Sequence, residues 1–145
     1  MSDVIETVAP KLLGPALMLA AALIVRGYAD VGDGFSAGVV VALAVALRYV
    51  ALGVEEAERG LPILRRAPIA LAGGLLIALA SGFFSVALGD PPFTHQPPPG
   101  EHVVKIGMLE LITAVAFDIG VLLLVTGGLV MLVHHLGRLV GERRT

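Results

Sequence analysis

The sequence contains no cysteine and carries little charge for its length. The absence of thiols excludes disulfide bonds, thiolate metal centres, iron–sulfur clusters and cysteine nucleophiles. Only 15% of the 145 residues are charged, 57% are hydrophobic, and the mean hydropathy is +0.91. These values lie far from the averages of soluble domains, so the composition indicates an integral membrane protein.

Long polar stretches are also missing, and nearly the whole chain is needed to form membrane spans. One domain is expected over residues 1–145, with no room for a separate soluble catalytic domain. Nucleotide-binding fingerprints are absent, since the turn Gly32-Asp33-Gly34 is too short for a phosphate loop. Asp3 and Glu6 stand where a secretory signal carries basic residues, so the first apolar run is expected to be retained.

Four apolar runs are present, and each is long enough to cross a bilayer as a helix. They are predicted at residues 8–25, 34–54, 67–88 and 106–136. Small residues open the second run, which favours close packing against a neighbouring helix. These are Gly34, Ser36, Ala37 and Gly38. The predicted fold is therefore an all-α membrane protein with four transmembrane helices.

The distribution of lysine and arginine indicates the orientation of these spans. Four spans place both termini on one side, together with the charged connector between the second and third runs. That side carries Lys11, Arg48, Arg59, Arg65, Arg66, Arg138, Arg143 and Arg144. The opposite side carries Arg26 and Lys105. Because basic residues stay in the cytoplasm, both termini are predicted to be cytoplasmic, and loops 26–33 and 89–105 extracytoplasmic.

Two carboxylates lie inside the fourth run, Glu110 and Asp118. An acidic residue at the centre of a spanning helix costs about 2.5 to 3.5 kcal/mol, so it normally faces protein or a hydrated cavity. On one helix these residues would lie about 12 Å apart along the axis and about 80° apart around it, which favours two separate sites. Asp118, predicted near the middle, is a candidate for an ion path or a packing hydrogen bond. Glu110 is a candidate for the same path or for an interfacial pair with Lys105.

The four histidines do not favour a metal site. His134 and His135 are adjacent and point about 100° apart on a helix, which favours an interfacial cap near the helix end. His95 and His102 lie in the proline-rich loop, either as solvated residues or as a proton-collecting antenna. Asp33 is a candidate for the same antenna or for packing in a tight turn.

Two segments of this sequence resemble motifs of a known family. The segment Glu110-Leu-Ile-Thr-Ala-Val-Ala-Phe-Asp118-Ile-Gly-Val121, followed by Val125-Thr-Gly127, resembles the last-helix motif of the MnhB/MrpB-like subunits of multisubunit Mrp-type sodium/proton antiporters. The turn Pro92-Phe-Thr-His95 is similar to the segment that precedes this helix in the family. The segment from Gly27 to Gly38 is similar to the family's glycine-rich signature. Its departures from that signature are Tyr28, Val31, Asp33 and Ala37.

The resemblance implies a small subunit that docks in the bilayer with other membrane subunits of a Mrp-type antiporter complex, in the inner membrane of a prokaryotic cell. At the matched positions, Asp118 and Glu110 would line an ion path, with Thr113 as a candidate neutral ion ligand. The transported ions would be Na+ and H+, with no cofactor, nucleic acid or other small-molecule substrate, in a transporter subunit rather than an enzyme. One alternative is a purely structural scaffold of a complex I-related or hydrogenase-type membrane complex. Another is a self-sufficient homo-oligomeric channel or transporter, which the lack of internal repeats disfavours.

Overall fold

The computed structural model describes residues 2–27, 33–94, 105–106, 109–110 and 113–142. The helices are α1 (Ser2–Gly27), α2 (Asp33–Leu52), α3 (Val54–Gly60), a 3₁₀ helix (Pro62–Arg66), α4 (Ala67–Ala87) and α5 (Thr113–Glu142). Two short strands, β1 (Lys105–Ile106) and β2 (Leu109–Glu110), pair in antiparallel fashion. The segments long and apolar enough to cross a membrane are Val4–Arg26, Asp33–Leu52, Pro62–Ala87 and Thr113–Val140. The predicted all-α membrane fold with four spanning helices is confirmed.

The spanning helices form a row in the order α1, α2, α5, α4. α1 packs antiparallel along α2, and Ala20 of α1 shares a buried cluster with Ala37 and Val41 of α2. α5 lies between α2 and α4, parallel to the first and antiparallel to the second. α2 and α5 are therefore the two inner helices of the row, and α1 and α4 are the outer ones.

Small residues allow α5 to approach both of its neighbours closely. A Cβ atom added to Gly38 of α2 would lie 2.9 Å from Cβ of Val125 in α5, and one added to Gly120 of α5 would lie 2.7 Å from the backbone nitrogen of Ala78 in α4. The hydroxyl of Thr126 donates a hydrogen bond of 3.2 Å across to the carbonyl oxygen of Gly38. Within a bilayer, such close contact replaces the hydrophobic driving force that lipid cannot supply.

The start of the fourth spanning helix differs from the prediction, because α5 begins at Thr113 rather than at residue 106. The preceding residues form the β1–β2 ladder, in which Lys105 lies opposite Glu110. Glu110 is therefore not on α5, and the helical spacing predicted between Glu110 and Asp118 is wrong. The sequence here combines β-branched Ile106 with Gly107, residue types that favour extended chain and turns over helix. Hydropathy alone does not separate such a segment from the apolar helix that follows it.

Candidate functional site

Asp118 is a buried carboxylate near the beginning of α5, with only 4% of its surface exposed. It lies in the second turn of α5, about 8 Å along the axis from Thr113. Asp118 is therefore near one end of the span, and the prediction that it lies near the middle is wrong. The cause is the later start of α5, which shifts the midpoint of the span toward residue 127.

The first turn of α2 covers Asp118. Asp33 begins α2, and a Cβ atom added to the next residue, Gly34, would lie 2.7 Å from the Cα atom of Asp118. Such an approach is open to glycine alone, because any side chain at this position would collide with the α5 backbone. The structure thus brings the predicted site residues Asp33 and Asp118 to the same end of the α2–α5 contact.

The chain that follows α4 folds back over the end of α4 that lies near Asp118. The Ser85 hydroxyl, which is buried, donates a hydrogen bond of 2.8 Å to the carbonyl oxygen of Pro91. The backbone nitrogen of Phe93 donates one of 2.6 Å to the carbonyl oxygen of Gly82. The Phe93 ring packs edge to face on Phe117 of α5, with 6.1 Å between the ring centroids. This segment therefore closes the groove between α4 and α5 beside Asp118.

The remaining predicted site residues are not all brought to Asp118. Thr113 is the first residue of α5, and Glu110 lies in β2 before that helix. His95 and His102 lie outside the residues that the structure describes. Within the described residues, no group of three or more histidine, aspartate or glutamate side chains could hold a metal ion.

A second polar cluster lies at the opposite end of α5, around Glu58 of α3. Glu58 is 7% exposed, and donors from three different elements surround its carboxylate. The Tyr49 hydroxyl of α2 donates to Oε1 over 3.2 Å, and Nε of Arg65 donates to Oε2 over 3.3 Å. Nδ1 of His134 in α5 lies 2.5 Å from Oε1. A nearly buried charge is thus compensated on both of its oxygens.

The turn between α2 and α3 positions Glu58. Gly53 has a φ of 79°, in the left-handed region that favours glycine, and it lets the chain fold α3 back against the end of α2. Nε of Arg48 then donates a hydrogen bond of 3.4 Å to the carbonyl oxygen of Ala57. Arg48 therefore stabilises the reversed connection, which is the packing role that its place near the end of the second span favours.

The surroundings of Glu58 shift its protonation equilibrium. Burial by itself raises the pKa of the carboxyl group, but the hydrogen bond and charge of His134 lower it, as do the hydrogen bonds from Tyr49 and Arg65. The net pKa of Glu58 lies below its ordinary value of 4.5. The folded protein therefore favours the ionised carboxylate.

This shift predicts how stability changes in acid. Because the pKa of Glu58 is lower in the folded state, its contribution is complete above about pH 4.5 and is lost as the pH falls through the folded-state pKa. We expect the Tm of the purified protein in detergent to decline below pH 4.5, and to decline less steeply in Glu58→Gln. Glu56→Gln, which removes an exposed ion pair with Arg59, should keep the wild-type acid profile. Identical profiles for wild type and Glu58→Gln would contradict this assignment.

A cavity of about 350 Å³ borders the Glu58 cluster. Its polar lining comes from Glu58, Arg65, His134, His135 and Arg138. Its apolar lining comes from Leu64, Ala67, Pro68, Val130 and Met131. Nδ1 of His135 lies 2.8 Å from the carbonyl oxygen of Met131 on its own helix, whereas His134 points to α3.

The sequence did not reveal the pairing of Glu58 with His134. For His134 it indicated only the role of a helix cap. One signal was present in the connector. Val54, Ala57 and Glu58 are spaced as i, i+3 and i+4, the spacing of one buried helical face, and all three are buried in α3. A glutamate on such a face requires a partner, and this pattern could have identified Glu58.

The four spanning helices define a small multi-pass membrane protein. A family described as "Domain related to MnhB subunit of Na+/H+ antiporter" matches residues 4–131. The chain belongs to this family, as the resemblance of its last helix predicts.

Individual relatives agree with this assignment. The B subunit of a Na(+)/H(+) antiporter from Bacillus subtilis is 32% identical over 139 residues, which cover 94% of each chain. A protein of the same name from Alkalihalophilus pseudofirmus is 34% identical over 105 residues, covering 72% of this chain and 71% of that protein. The A/B subunit of a probable K(+)/H(+) antiporter from Rhizobium meliloti is 37% identical over 117 residues, covering 79% of this chain but 11% of that protein.

Proposed function

We propose that this chain is a small subunit of a multisubunit antiporter that exchanges a monovalent cation for protons across the prokaryotic inner membrane. The main support is the near full-length similarity to the B subunit of the Bacillus subtilis Na(+)/H(+) antiporter, which extends over 94% of both chains. The role is that of a transporter subunit rather than an enzyme, with Na+ and H+ as the transported ions and no cofactor.

The arrangement of the helices supports a subunit that packs against others. A row of four helices leaves broad apolar faces, and residues such as Met18 of α1 and Leu76 of α4 are 77% and 67% exposed. In the bilayer these faces contact lipid or other membrane subunits. The Rhizobium meliloti relative, named as a joint A/B subunit, contains a segment similar to this chain within a much longer protein. That joining supports an A-type subunit as the direct neighbour of this chain.

Asp118 is the residue of this chain that we assign to the ion path, with Glu110 and Thr113 as further candidates on the same side. A buried carboxylate at the contact of two spanning helices is costly, and function commonly explains why it is kept. The competing role is a structural scaffold. In that role, a buried carboxylate at the contact of α2 and α5 would only hold the two helices together.

The proposed function is tested by purification and by removal of the chain. We expect the tagged chain to be isolated in mild detergent together with larger membrane subunits. Inverted membrane vesicles from cells that lack this chain should lose the pH change that follows addition of Na+ or K+, and re-expression should restore it. Exchange at the wild-type rate without the chain would exclude the proposed role. Exchange by the purified chain alone in liposomes would instead show that it needs no partner.

A further inference from the structure

The Glu58 cluster combines a buried acid with a histidine that reaches solvent. The Glu58 side chain is 8% exposed, and the His134 side chain, 2.5 Å away, is 25% exposed and lines the cavity. Glu58 and His134 are separated by 76 residues in the sequence. The pair therefore joins a nearly buried acid of α3 to a partly exposed base of α5.

We propose that Glu58 and His134 form a proton-binding site on one side of the membrane. The distribution of lysine and arginine predicts that this side is cytoplasmic. The site would exchange protons between the cavity and the antiporter. This inference rests on the proposed function. It adds a second candidate site to the chain, at the end of α5 opposite Asp118.

The hydrogen bonds define how a proton is held. An ionised carboxylate only accepts hydrogen bonds, so Nδ1 of His134 carries the hydrogen that it shares with Oε1 of Glu58. Nε2 is then the basic atom of the neutral ring. It takes up one proton to give an imidazolium beside the carboxylate, and it releases the same proton to return to the neutral ring.

The charged groups around the pair are arranged to permit this step. Arg65 occupies the other carboxylate oxygen, Oε2, and Tyr49 shares Oε1 with His134. Arg48 of α2 donates to the carbonyl oxygen of Ala57 rather than to Glu58. On α5, His135 and Arg138 line the same cavity. With Arg65 balancing Glu58, protonation of His134 adds a single positive charge next to the carboxylate that stabilises it.

The cavity provides a route for protons to reach the ring. Its volume of about 350 Å³ is enough for several water molecules, and five polar or charged side chains line it. Hydrogen-bonding side chains favour water over an empty space in a cavity of this kind. A proton can therefore move between bulk water and His134 without crossing the apolar core.

The first test compares glutamates on the same short helix within the assembled complex. We expect Glu58→Gln to slow cation-driven proton release from inverted vesicles by about 100-fold, the lower end of what a positioned proton-transferring group contributes. Glu55→Gln, the same chemical change on the exposed face of α3, should leave the rate unchanged. Rates are compared per amount of assembled complex. Equal rates for Glu58→Gln and wild type would overturn the proposal.

The second test separates proton transfer from packing at His134. His134→Asn keeps a donor that can reach Glu58 but cannot carry a proton, so we expect normal assembly and exchange slowed by about 100-fold. In His134→Ala, added imidazole should restore exchange several-fold, because the missing ring borders the cavity. Pyrazole, a ring of the same size that stays neutral, should not. Wild-type exchange in His134→Asn, or equal rescue by both rings, would mean that His134 only packs.

The two proposals fail in different ways. If removal of the whole chain leaves exchange intact, the proposed function is wrong. If removal abolishes exchange while Glu58→Gln and His134→Asn both exchange normally, the antiporter role holds and the proton-binding site is wrong.

Discussion

Replacement of Asp118 by asparagine is expected to abolish cation-driven proton release from inverted vesicles while the chain remains assembled with its partners. Asparagine has nearly the same shape as aspartate, so the contact between α5 and Gly34 is preserved, but the ionisable group is removed. We expect the exchange rate in inverted vesicles to fall by about 100-fold or more, with wild-type amounts of the chain isolated in the complex.

A matched control separates this effect from a general loss of acidic charge. Asp90→Asn removes a carboxyl group beyond the end of α4, outside the α2–α5 contact, and should leave exchange close to wild type. Normal exchange in an assembled Asp118→Asn complex would instead support the scaffold role. Loss of assembly in Asp118→Asn would also support it, because the carboxylate would then be needed to hold the helices together.

Two adjacent glycines of α4 are expected to respond very differently to the same substitution. A Cβ atom at Gly74 would lie 2.6 Å from the carbonyl oxygen of Gly120 and 2.9 Å from Cβ of Leu123, whereas one at Gly73 would have no neighbour within 4 Å. Gly74→Val should therefore push α4 away from α5 and lower the free energy of unfolding by about 3 kcal/mol, the upper end of typical overpacking costs. Gly73→Val should be neutral or slightly stabilising, because glycine is a poor helix former.

Thermal unfolding of both variants in detergent measures this difference. The paired design cancels the general effect of adding valine to a spanning helix, so the difference in Tm reports the contact between α4 and α5 alone. Equal Tm values for the two variants would contradict the close contact of α4 with α5. A matching loss of complex in Gly74→Val cells would show that the same contact is needed for assembly.

Among the described residues, the buried carboxylates Asp118 and Glu58 lie near opposite ends of α5. Asp118 and His134, the partner of Glu58, are separated by about 24 Å along α5, most of the thickness of the hydrocarbon core. On α5 between these two residues, the polar side chain is that of Thr126, whose hydroxyl donates to the carbonyl oxygen of Gly38 and holds no exchangeable charge. A proton path along α5 that used both sites would therefore need titratable groups from elsewhere.

The sequence by itself determined the class of the protein, the number of spans and the family. Hydropathy is a sum over consecutive residues, so four apolar runs predict four spanning helices without knowledge of how they pack. Small residues such as Gly34 and Gly38 likewise marked a closely packed face, since close approach depends on side-chain size. The motif around Asp118 identified the family because its residues are close in sequence, so it is recognised without knowledge of the fold.

Only the tertiary structure decided the depth of Asp118 and the partner of Glu58. An apolar run does not reveal where a helix begins within it, and the β1–β2 ladder moved that start from residue 106 to Thr113. Glu58 and His134 are separated by 76 residues in the chain. They meet because Gly53 turns α3 back over α2 while α5 runs parallel to α2. Such a contact depends on the relative placement of three elements, and no local pattern of residues contains that information.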